Sequence, residues 1–320
     1  MTERDANTAF AAALVDEWAR AGIEHAVIAP GSRSAPLALA LVRDGRLQVQ
    51  VVLDERSAAF RALGIGLATG RPAILVCTSG TAAVNFHPAV VEAAHARVPL
   101  LVTTADRPPE LRASGAGQTI DQARLYGDIV RWFCDPGPPE DREDAAAVWR
   151  TLAGRAVAHA SGPPAGPVHL NLPFREPLVP TGAALVDAPG RADGRPWVAT
   201  TPATRLADAA TITQLAELVR AHPDGVLVAG WGARVAPATA ARFAAAAGWP
   251  VLADAISQLR TGPASISTYE ALLRAGAAPR PELVVRVGAP LTSKIATAWL
   301  DASIPQVLVD PDAEWLDPQH

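Results

Sequence analysis

Short apolar runs that alternate with amphipathic segments constrain the fold more than any other feature of this chain. The runs, rich in Val, Ile and Leu, lie at 25–30, 47–54, 73–78, 100–106, 130–136 and 167–173. Helical periodicity fills the segments between them, near 35–42, 57–68, 82–95 and 145–160. Strands that are apolar throughout and alternate with helices indicate a parallel sheet covered on both faces.

A second set of the same kind follows an irregular stretch. Residues 176–205 are rich in Pro, Gly and Ala without apolar periodicity, which is typical of a linker. Further apolar runs lie at 224–232, 249–254, 282–288 and 305–310. The sequence therefore predicts an α/β protein with two tandem three-layer domains, 1–180 and 205–320, joined by a linker at 181–204.

Composition and charge exclude several classes of protein. Hydrophobic residues make up 49% and charged residues 19% of the 320-residue chain, so a sizeable core is expected. A net charge of −4 provides no basic surface for nucleic acid. The acidic start "MTERDANTAF" differs from a secretory signal, and no apolar run is long enough to cross a bilayer. A cytoplasmic protein without membrane insertion is therefore expected. Cys77 and Cys134 lie in strand-like runs and are interpreted as core residues.

Polar or glycine-rich turns follow the first four predicted strands. They read "PGSRSAP", "DERS", "TSGTAAVN" and "ADRPPE". Ligands of open parallel sheets bind beyond the carboxyl ends of the strands, where such turns lead into helices. The sequence therefore predicts a ligand site built from these four turns.

Individual residues of these turns allow more than one interpretation. Ser79 and Thr81 flank a glycine at a helix start, where amides and hydroxyls suit an anion or polar ring; a plain helix cap is the favoured alternative. Arg33 and Arg107 suit bidentate binding of a carboxylate, and each is equally well interpreted as a surface arginine. Gln118 lies in a Gly/Ser-rich loop that closes over a ligand or is simply solvated.

Glu55 lies between a predicted buried strand and a predicted helix. A carboxylate in an apolar site is costly unless it is paired or neutral. On the residues alone, Glu55 is a helix-start acid favoured by the helix dipole. Familiar signatures are absent: there is no P-loop, nucleophile elbow or closely spaced metal cluster, and "GIGLATG" at 64–70 ends a helix instead of following a strand. His87, His95 and His169 are scattered, which favours structural roles.

Several segments together resemble the SEPHCHC synthase (MenD) family of thiamine-diphosphate-dependent enzymes in menaquinone biosynthesis. They are "PGSRSAPLALA", "DERSAAFRALGIGLATG", "ILVCTSGTAAVNFHPAVVEA", "VTTADRPPELRASGAGQTIDQ" and "GPVHLNLPFREPLVP". The resemblance covers almost all of residues 10–180 and, with weaker signatures, 205–310. It implies a pyrimidine-binding domain and a central Rossmann-like domain, with thiamine diphosphate and Mg²⁺ as cofactors, in a homodimer or homotetramer. It also implies a transferase that decarboxylates 2-oxoglutarate and adds the succinyl carbanion to isochorismate.

The resemblance assigns roles to particular residues. Glu55 would hydrogen-bond N1′ of the aminopyrimidine and so promote deprotonation of the cofactor's C2. The implied cofactor contacts are Glu55, Ser79, Gly80 and Thr81. The implied substrate contacts, which bind carboxylates or other polar groups, are Ser32, Arg33, Arg107, Gln118 and Lys294. No metal ligand is expected in this chain.

The sequence departs from the family pattern in three places. Gly117 replaces an asparagine before Gln118, and Ile295 replaces the second residue of a basic pair at Lys294. The family's third domain, whose Gly-Asp-Gly motif binds magnesium and diphosphate, has no counterpart in these 320 residues. The chain is therefore expected to continue into such a domain and to be inactive alone.

Other functional classes stay open at this stage. They are a thiamine enzyme of the acetolactate-synthase or decarboxylase type, a binding or regulatory module, and one subunit of a split enzyme. Arg33, Arg107 and "RPPEL" favour acidic substrates over those of the acetolactate type. An NAD-dependent dehydrogenase, suggested by the α/β pattern alone, lacks its glycine fingerprint at the required place.

Overall fold

The computed structural model describes residues 5–180, 190–201 and 205–318. The chain divides into two compact units, residues 1–203 and 204–320, and each contains one parallel sheet. The predicted α/β class with two tandem parallel-sheet domains is confirmed. The domain limits stay a prediction, because the linker expected at 181–204 falls partly outside the described residues.

The first unit has a six-stranded parallel sheet in the order β2-β1-β3-β4-β6-β5. Its strands are β1 His25–Ile28, β2 Gln48–Val51, β3 Ala73–Cys77, β4 Leu100–Asp106, β5 Trp132–Cys134 and β6 Pro167–Pro173. Its helices are α1 Ala6–Arg20, α2 Ala35–Asp44, α3 Glu55–Thr69, α4 Thr81–Asn85, α5 His87–His95 and α6 Ala145–Ser161. Helices α1, α2 and α6 cover one face of the sheet, and α3 to α5 cover the other.

Helix α1 is missing from the sequence prediction. Asp5 caps it by accepting a hydrogen bond from the backbone N of Thr8 at 3.1 Å, and its buried residues include Phe10, Leu14 and Trp18. Alanines fill positions 11–13 between Phe10 and Leu14, and because alanine suits both core and surface, they weaken the contrast between the two faces.

Strand β2 differs from the buried strand that the sequence predicts. It ends at Val51, and the side chains of Val51 and Leu53 are 63% and 83% exposed. The reason is its position, since β2 lies at the edge of the sheet and, among the described strands, pairs only with β1. Glu55 therefore begins α3 beside exposed apolar side chains and not inside a sealed core.

The second unit has a four-stranded parallel sheet in the order β10-β9-β7-β8. Its elements are α7 Ala209–Ala221, β7 Gly225–Ala229, α8 Pro237–Ala247, β8 Val251–Ala253, α9 Tyr269–Arg274, β9 Leu283–Val287, α10 Lys294–Trp299 and β10 Gln306–Val309. Apolar clusters lie on both faces of this sheet, so it also has three layers. None of the helices in the described part of the chain is long and apolar enough to span a membrane.

Candidate functional site

The carboxyl ends of β1 and β3 lie side by side at the topological switch point of the first sheet. The chain runs outward from β1 to β2 and then crosses back to β3, so the turns after β1 and β3 diverge there. These turns touch: a Cβ atom added to Gly31 would clash with the side chain of Thr78. This close approach requires glycine and brings the turn of Ser32 and Arg33 against the turn of Ser79.

Arg33 has a buried guanidinium group, and one of its hydrogen-bond donors has no partner among the described residues. The residue is 8% exposed. Its Nη1 donates to the carbonyl of Phe174 at 3.0 Å, and its Nη2 lies 3.4 Å from Oε1 of Glu176, whose side chain is 74% exposed. Its Nε is buried and has no hydrogen-bond partner among the described residues. A buried charged donor without a partner is costly, so a ligand oxygen at Nε would stabilise this arrangement.

Arg107 approaches the same place from the end of β4. Its Nη1 donates to Oγ of Ser79 and, at 2.9 Å, to the carbonyl of Gln118. Burial, followed by the positive charge of Arg33, lowers the pKa of Arg107 from its ordinary value. Two guanidinium groups close enough to repel each other favour an anion in their vicinity.

Gln118 folds its loop onto the turn after β3. It has a left-handed backbone with φ of 56°, and its Nε2 donates to the carbonyl of Ser79 at 3.0 Å. Gly80 permits this contact, since its φ is 82° and an added Cβ would lie 3.0 Å from Cγ of Gln118. The amide of Gly80 donates to Oε1 of Gln122 at 2.8 Å. The amide of Gly80 is therefore already bound by Gln122, while Thr81 is exposed.

Glu55 is the first residue of α3 and is half-buried. Asp54 caps the helix by accepting from the backbone N of Ser57 at 2.8 Å, which leaves Glu55 free of the capping role. No residue of the described ranges forms a hydrogen bond or ion pair with its carboxyl group. Its charge raises the pKa of the Cys77 thiol, second to the effect of burial, which places Glu55 near the end of β3. A carboxyl group without a partner can share a proton with the ring nitrogen of an aminopyrimidine.

Lys294 belongs to the second unit. It is the first residue of α10 and is exposed. Ser293 caps this helix by accepting from the backbone N of Ala296 at 3.3 Å, and Ile295 is half-buried. In the described parts of both units, no group of three or more His, Cys, Asp and Glu residues is placed to hold a metal ion.

Sequence reasoning missed a group of buried polar residues at the ends of the central strands. We call it the inner polar cluster, and it consists of Thr104, Asp106, Gln122, His169 and Asn171. Burial raises the pKa of Asp106 and lowers that of His169 to about 3. The available signal was polar residues inside two strands that are otherwise apolar, "LLVTTAD" and "PVHLNLP", because such positions are normally apolar in a sheet buried on both faces.

Comparison with known proteins identifies relatives along the whole chain. Residues 8–125 match the family model described as thiamine pyrophosphate enzyme, N-terminal TPP binding domain. Residues 191–320 match the model described as middle domain of thiamine pyrophosphate.

Curated relatives named 2-succinyl-5-enolpyruvyl-6-hydroxy-3-cyclohexene-1-carboxylate synthase are similar to nearly the full chain. The protein of Halobacterium salinarum is 44% identical over 335 residues, which cover 98% of this chain and 57% of the relative. That of Roseiflexus sp. is 46% identical over 340 residues, covering 100% and 57%. That of Thermobifida fusca is 47% identical over 325 residues, covering 98% and 56%. The chain thus spans less than two thirds of the length of these relatives.

Proposed function

This chain belongs to the SEPHCHC synthase family of thiamine-diphosphate-dependent enzymes, and we propose that it supplies the aminopyrimidine half of such a synthase's active site. The proposed reaction is decarboxylation of 2-oxoglutarate and conjugate addition of the remaining succinyl unit to isochorismate, as a step of menaquinone biosynthesis. Bound thiamine diphosphate supplies the nucleophilic carbon and accepts the electrons that decarboxylation releases.

In this proposal, Glu55 holds a proton at N1′ of the aminopyrimidine. Support comes from its position at the first turn of α3, half-buried and without a partner among the described residues. A carboxyl group already bound to a neighbouring arginine would be a poorer partner for the ring nitrogen, because the two would compete. Ser79, Gly80 and Thr81 would then border the ring, with the backbone of Gly80 held in place by Gln122.

Arg33 and Arg107 bind substrate carboxylates in this proposal, and their juxtaposition is the observation that carries the substrate class. Burial and, after it, the charge of Arg33 lower the pKa of Arg107, and Nε of Arg33 is buried with no partner in the described structure. Arg107 donates to two neutral oxygens, from Ser79 and Gln118. Exchange of a neutral acceptor for a carboxylate strengthens a hydrogen bond, so a dicarboxylate is favoured over a neutral or monoacid substrate. Ser32 and Gln118 are expected to supply further polar contacts, and the role of Lys294 stays a prediction.

The diphosphate and Mg²⁺ require residues beyond those described above. We propose that they are held by the part of the relatives that this chain does not cover. In a cytoplasmic homodimer or homotetramer, that part of one subunit would meet the Glu55 edge of another. The 320-residue chain alone is accordingly expected to release no carbon dioxide from 2-oxoglutarate.

The test compares the chain alone with an assembled synthase. The assembled form joins this chain to the region of the Thermobifida fusca relative that it does not cover. We expect cofactor-dependent release of carbon dioxide from 2-oxoglutarate by the assembled form only. Release by the 320-residue chain alone would contradict the half-site proposal. Faster turnover of pyruvate than of 2-oxoglutarate would favour an enzyme of the acetolactate-synthase type.

A further inference from the structure

The inner polar cluster lies directly behind the turns that carry the candidate site. All five of its residues are buried in the first unit, none more than 1% exposed. Buried polar groups destabilise a fold unless they are hydrogen-bonded, and a fully satisfied network rigidifies its surroundings. The partners of each group therefore decide whether the cluster only fills the core or also holds the site.

Gln122 connects the turn after β3 to the end of β4. Its Oε1 accepts from the amide of Gly80 at 2.8 Å. Its Nε2 donates to the carbonyl of Ala105 at 3.1 Å and to Oδ1 of Asn171 at 3.0 Å. The orientation of the side-chain amide is fixed, because only its oxygen can accept from Gly80 and only its nitrogen can donate to two oxygens.

Asn171 continues this connection toward Arg107. Its Nδ2 donates to Oδ2 of Asp106 at 2.9 Å and to Oδ2 of Asp135 at 3.0 Å. The other carboxylate oxygen of Asp106 accepts from the backbone N of Arg107 at 2.7 Å. An unbroken chain of hydrogen bonds therefore runs from the amide of Gly80, through Gln122, Asn171 and Asp106, to the amide of Arg107.

Arg112 ties the following loop to the same carboxylates. Its Nη2 lies 2.9 Å from Oδ2 of Asp106 and 2.8 Å from Oδ2 of Asp135. Its Nε donates to the carbonyl of Arg107 at 3.2 Å. Asp106 thus binds the amide of Arg107, and Arg112 binds its carbonyl. The side chain of Arg107 meanwhile donates to Ser79 on the opposite turn.

We propose that Gln122 and Asn171 are positioning residues that fix the spacing between the Ser79–Thr81 turn and Arg107 for binding of a dicarboxylate. This inference rests on the proposed function, which makes Arg107 a substrate-binding residue. A site held in its binding geometry loses less conformational entropy when a ligand binds, so loosening it weakens binding without removing any direct contact. Gln122 and Asn171 are buried and act only through the turns that they hold.

The test is calorimetric titration of 2-oxoglutarate into the 320-residue chain and its variants. Gln122→Ala is expected to weaken binding about tenfold. This change in affinity corresponds to the net free energy that one buried hydrogen bond contributes. Thr103→Val is the matched control, since Thr103 is buried in β4 next to Thr104 of the cluster, and among the described residues its Oγ1 donates only to the carbonyl of Leu75, at 2.8 Å. The control is expected to lose similar stability and to bind within about twofold of the parent.

Gln122→Glu separates positioning from simple core stability. An ionised glutamate still accepts from Gly80 but cannot donate to Ala105 or Asn171, whereas the protonated form regains one donor. As the pH is lowered from 8 to 5.5, the affinity of Gln122→Glu for 2-oxoglutarate, relative to that of the parent, is therefore expected to recover. Thr103→Val is expected to show no such pH dependence. This variant also decides the question if Gln122→Ala fails to fold.

Each outcome of these titrations has a distinct meaning. Weaker binding by Gln122→Ala than by Thr103→Val, with pH-dependent recovery of Gln122→Glu, supports the inference. Equal binding by both alanine and valine variants, with no pH-dependent recovery, overturns it and leaves the proposed function intact. If the parent chain does not bind 2-oxoglutarate, the proposed substrate site is wrong, and the inference is withdrawn with it.

Discussion

The carboxyl edges of the two sheets share one architecture and differ in what fills them. At the switch point of the first sheet, between β1 and β3, the buried Nε of Arg33 has no hydrogen-bond partner among the described residues. At the switch point of the second sheet, between β7 and β9, the backbone closes the crevice. The amide of Gly230 donates to the carbonyl of Val287 at 3.1 Å, and the amide of Ala289 donates to the carbonyl of Trp231 at 2.8 Å. A Cβ atom added to Gly230 would overlap the carbonyl of Ala289.

Two carboxylates just beyond strand ends show the same difference on a smaller scale. Asp254, after β8, accepts from the hydroxyl of Tyr269 at 2.9 Å and from the backbone N and Oγ1 of Thr292, both at 2.8 Å. Glu55, after β2, has no such partners among the residues that the structure describes. Of these two carboxylates, only Glu55 keeps open acceptors, and it is the one assigned to the candidate site.

The largest effect that would sharpen this comparison is expected for Glu55→Gln in the assembled synthase. The substitution keeps the shape of the side chain and removes its ability to hold a proton at N1′, so turnover of 2-oxoglutarate is expected to fall by about 10²–10⁴-fold. Asp254→Asn is the control and is expected to leave the turnover per folded molecule unchanged. Turnover of Glu55→Gln at the parent rate would refute the role of Glu55.

Acid is expected to destabilise the first unit through His169. Burial lowers its folded-state pKa to about 3. Thr104 donates its one hydroxyl proton to Asn171 at 3.0 Å, so it accepts from His169, whose Nε2 is 2.8 Å away and carries the proton of the neutral ring.

The sign of the effect follows from proton binding. Between pH 6.5 and pH 3 the unfolded chain binds more protons at this histidine than the folded chain does, so stability falls with falling pH. The loss is about 1.4 kcal/mol for each pH unit below 6.5. Hydrogen exchange of the β4 amides measures the stability of the parent and of His169→Phe at each pH. The difference in stability between the two proteins isolates the effect of His169, because the contributions of other groups cancel. A difference that does not change with pH would contradict the neutral, buried assignment.

Asp254→Asn is expected to destabilise the second unit by about 1–3 kcal/mol. The asparagine amide nitrogen would face the hydroxyl of Tyr269 or the backbone N–H of Thr292, and one buried donor would lose its acceptor. Glu55→Gln removes no internal hydrogen bond of the described structure and is expected to change stability by less than about 0.5 kcal/mol. Urea unfolding of the two variants tests the contrast, and an equal loss in both would break it.

Arg107→Lys is expected to weaken 2-oxoglutarate binding to the 320-residue chain about tenfold, because an ammonium cannot bind a carboxylate in the two-pronged manner of a guanidinium. Arg274→Lys is the control; its Nη2 lies 2.7 Å from Oε1 of Glu270 on an exposed face of the second unit. Calorimetry of both variants measures the effect. Unchanged affinity in Arg107→Lys would remove Arg107 from the substrate site.

The sequence predicts the fold well where burial is complete on both faces. The runs 100–106 and 167–173 coincide with β4 and β6, since continuous apolar character and two-sided burial have the same cause. The predicted helix at 82–95 is interrupted at Phe86, after which α5 begins as a separate helix at His87 with Pro88 in its first turn. The local sequence of a strand does not show whether the strand lies at the edge of the sheet. For that reason β2 is shorter and more exposed than predicted.

The candidate site is predictable only in part, for a related reason. Arg33, Arg107 and Ser79 follow strand ends, so a parallel sheet alone brings them to one edge. Gln122 and Asn171 are 49 residues apart in sequence, and their contact depends on the placement of β6 beside β4. Only the strand order, which long-range packing determines, joins them into the inner polar cluster.

The most direct test of the central claim is titration of 2-oxoglutarate into the parent chain and into Arg33→Ala. An open, positively charged edge on the first sheet predicts one dicarboxylate site per chain, with binding lost in Arg33→Ala and weakened by added salt. Absence of binding to the folded parent, or binding that Arg33→Ala leaves unchanged, would contradict the claim that this edge is the substrate site.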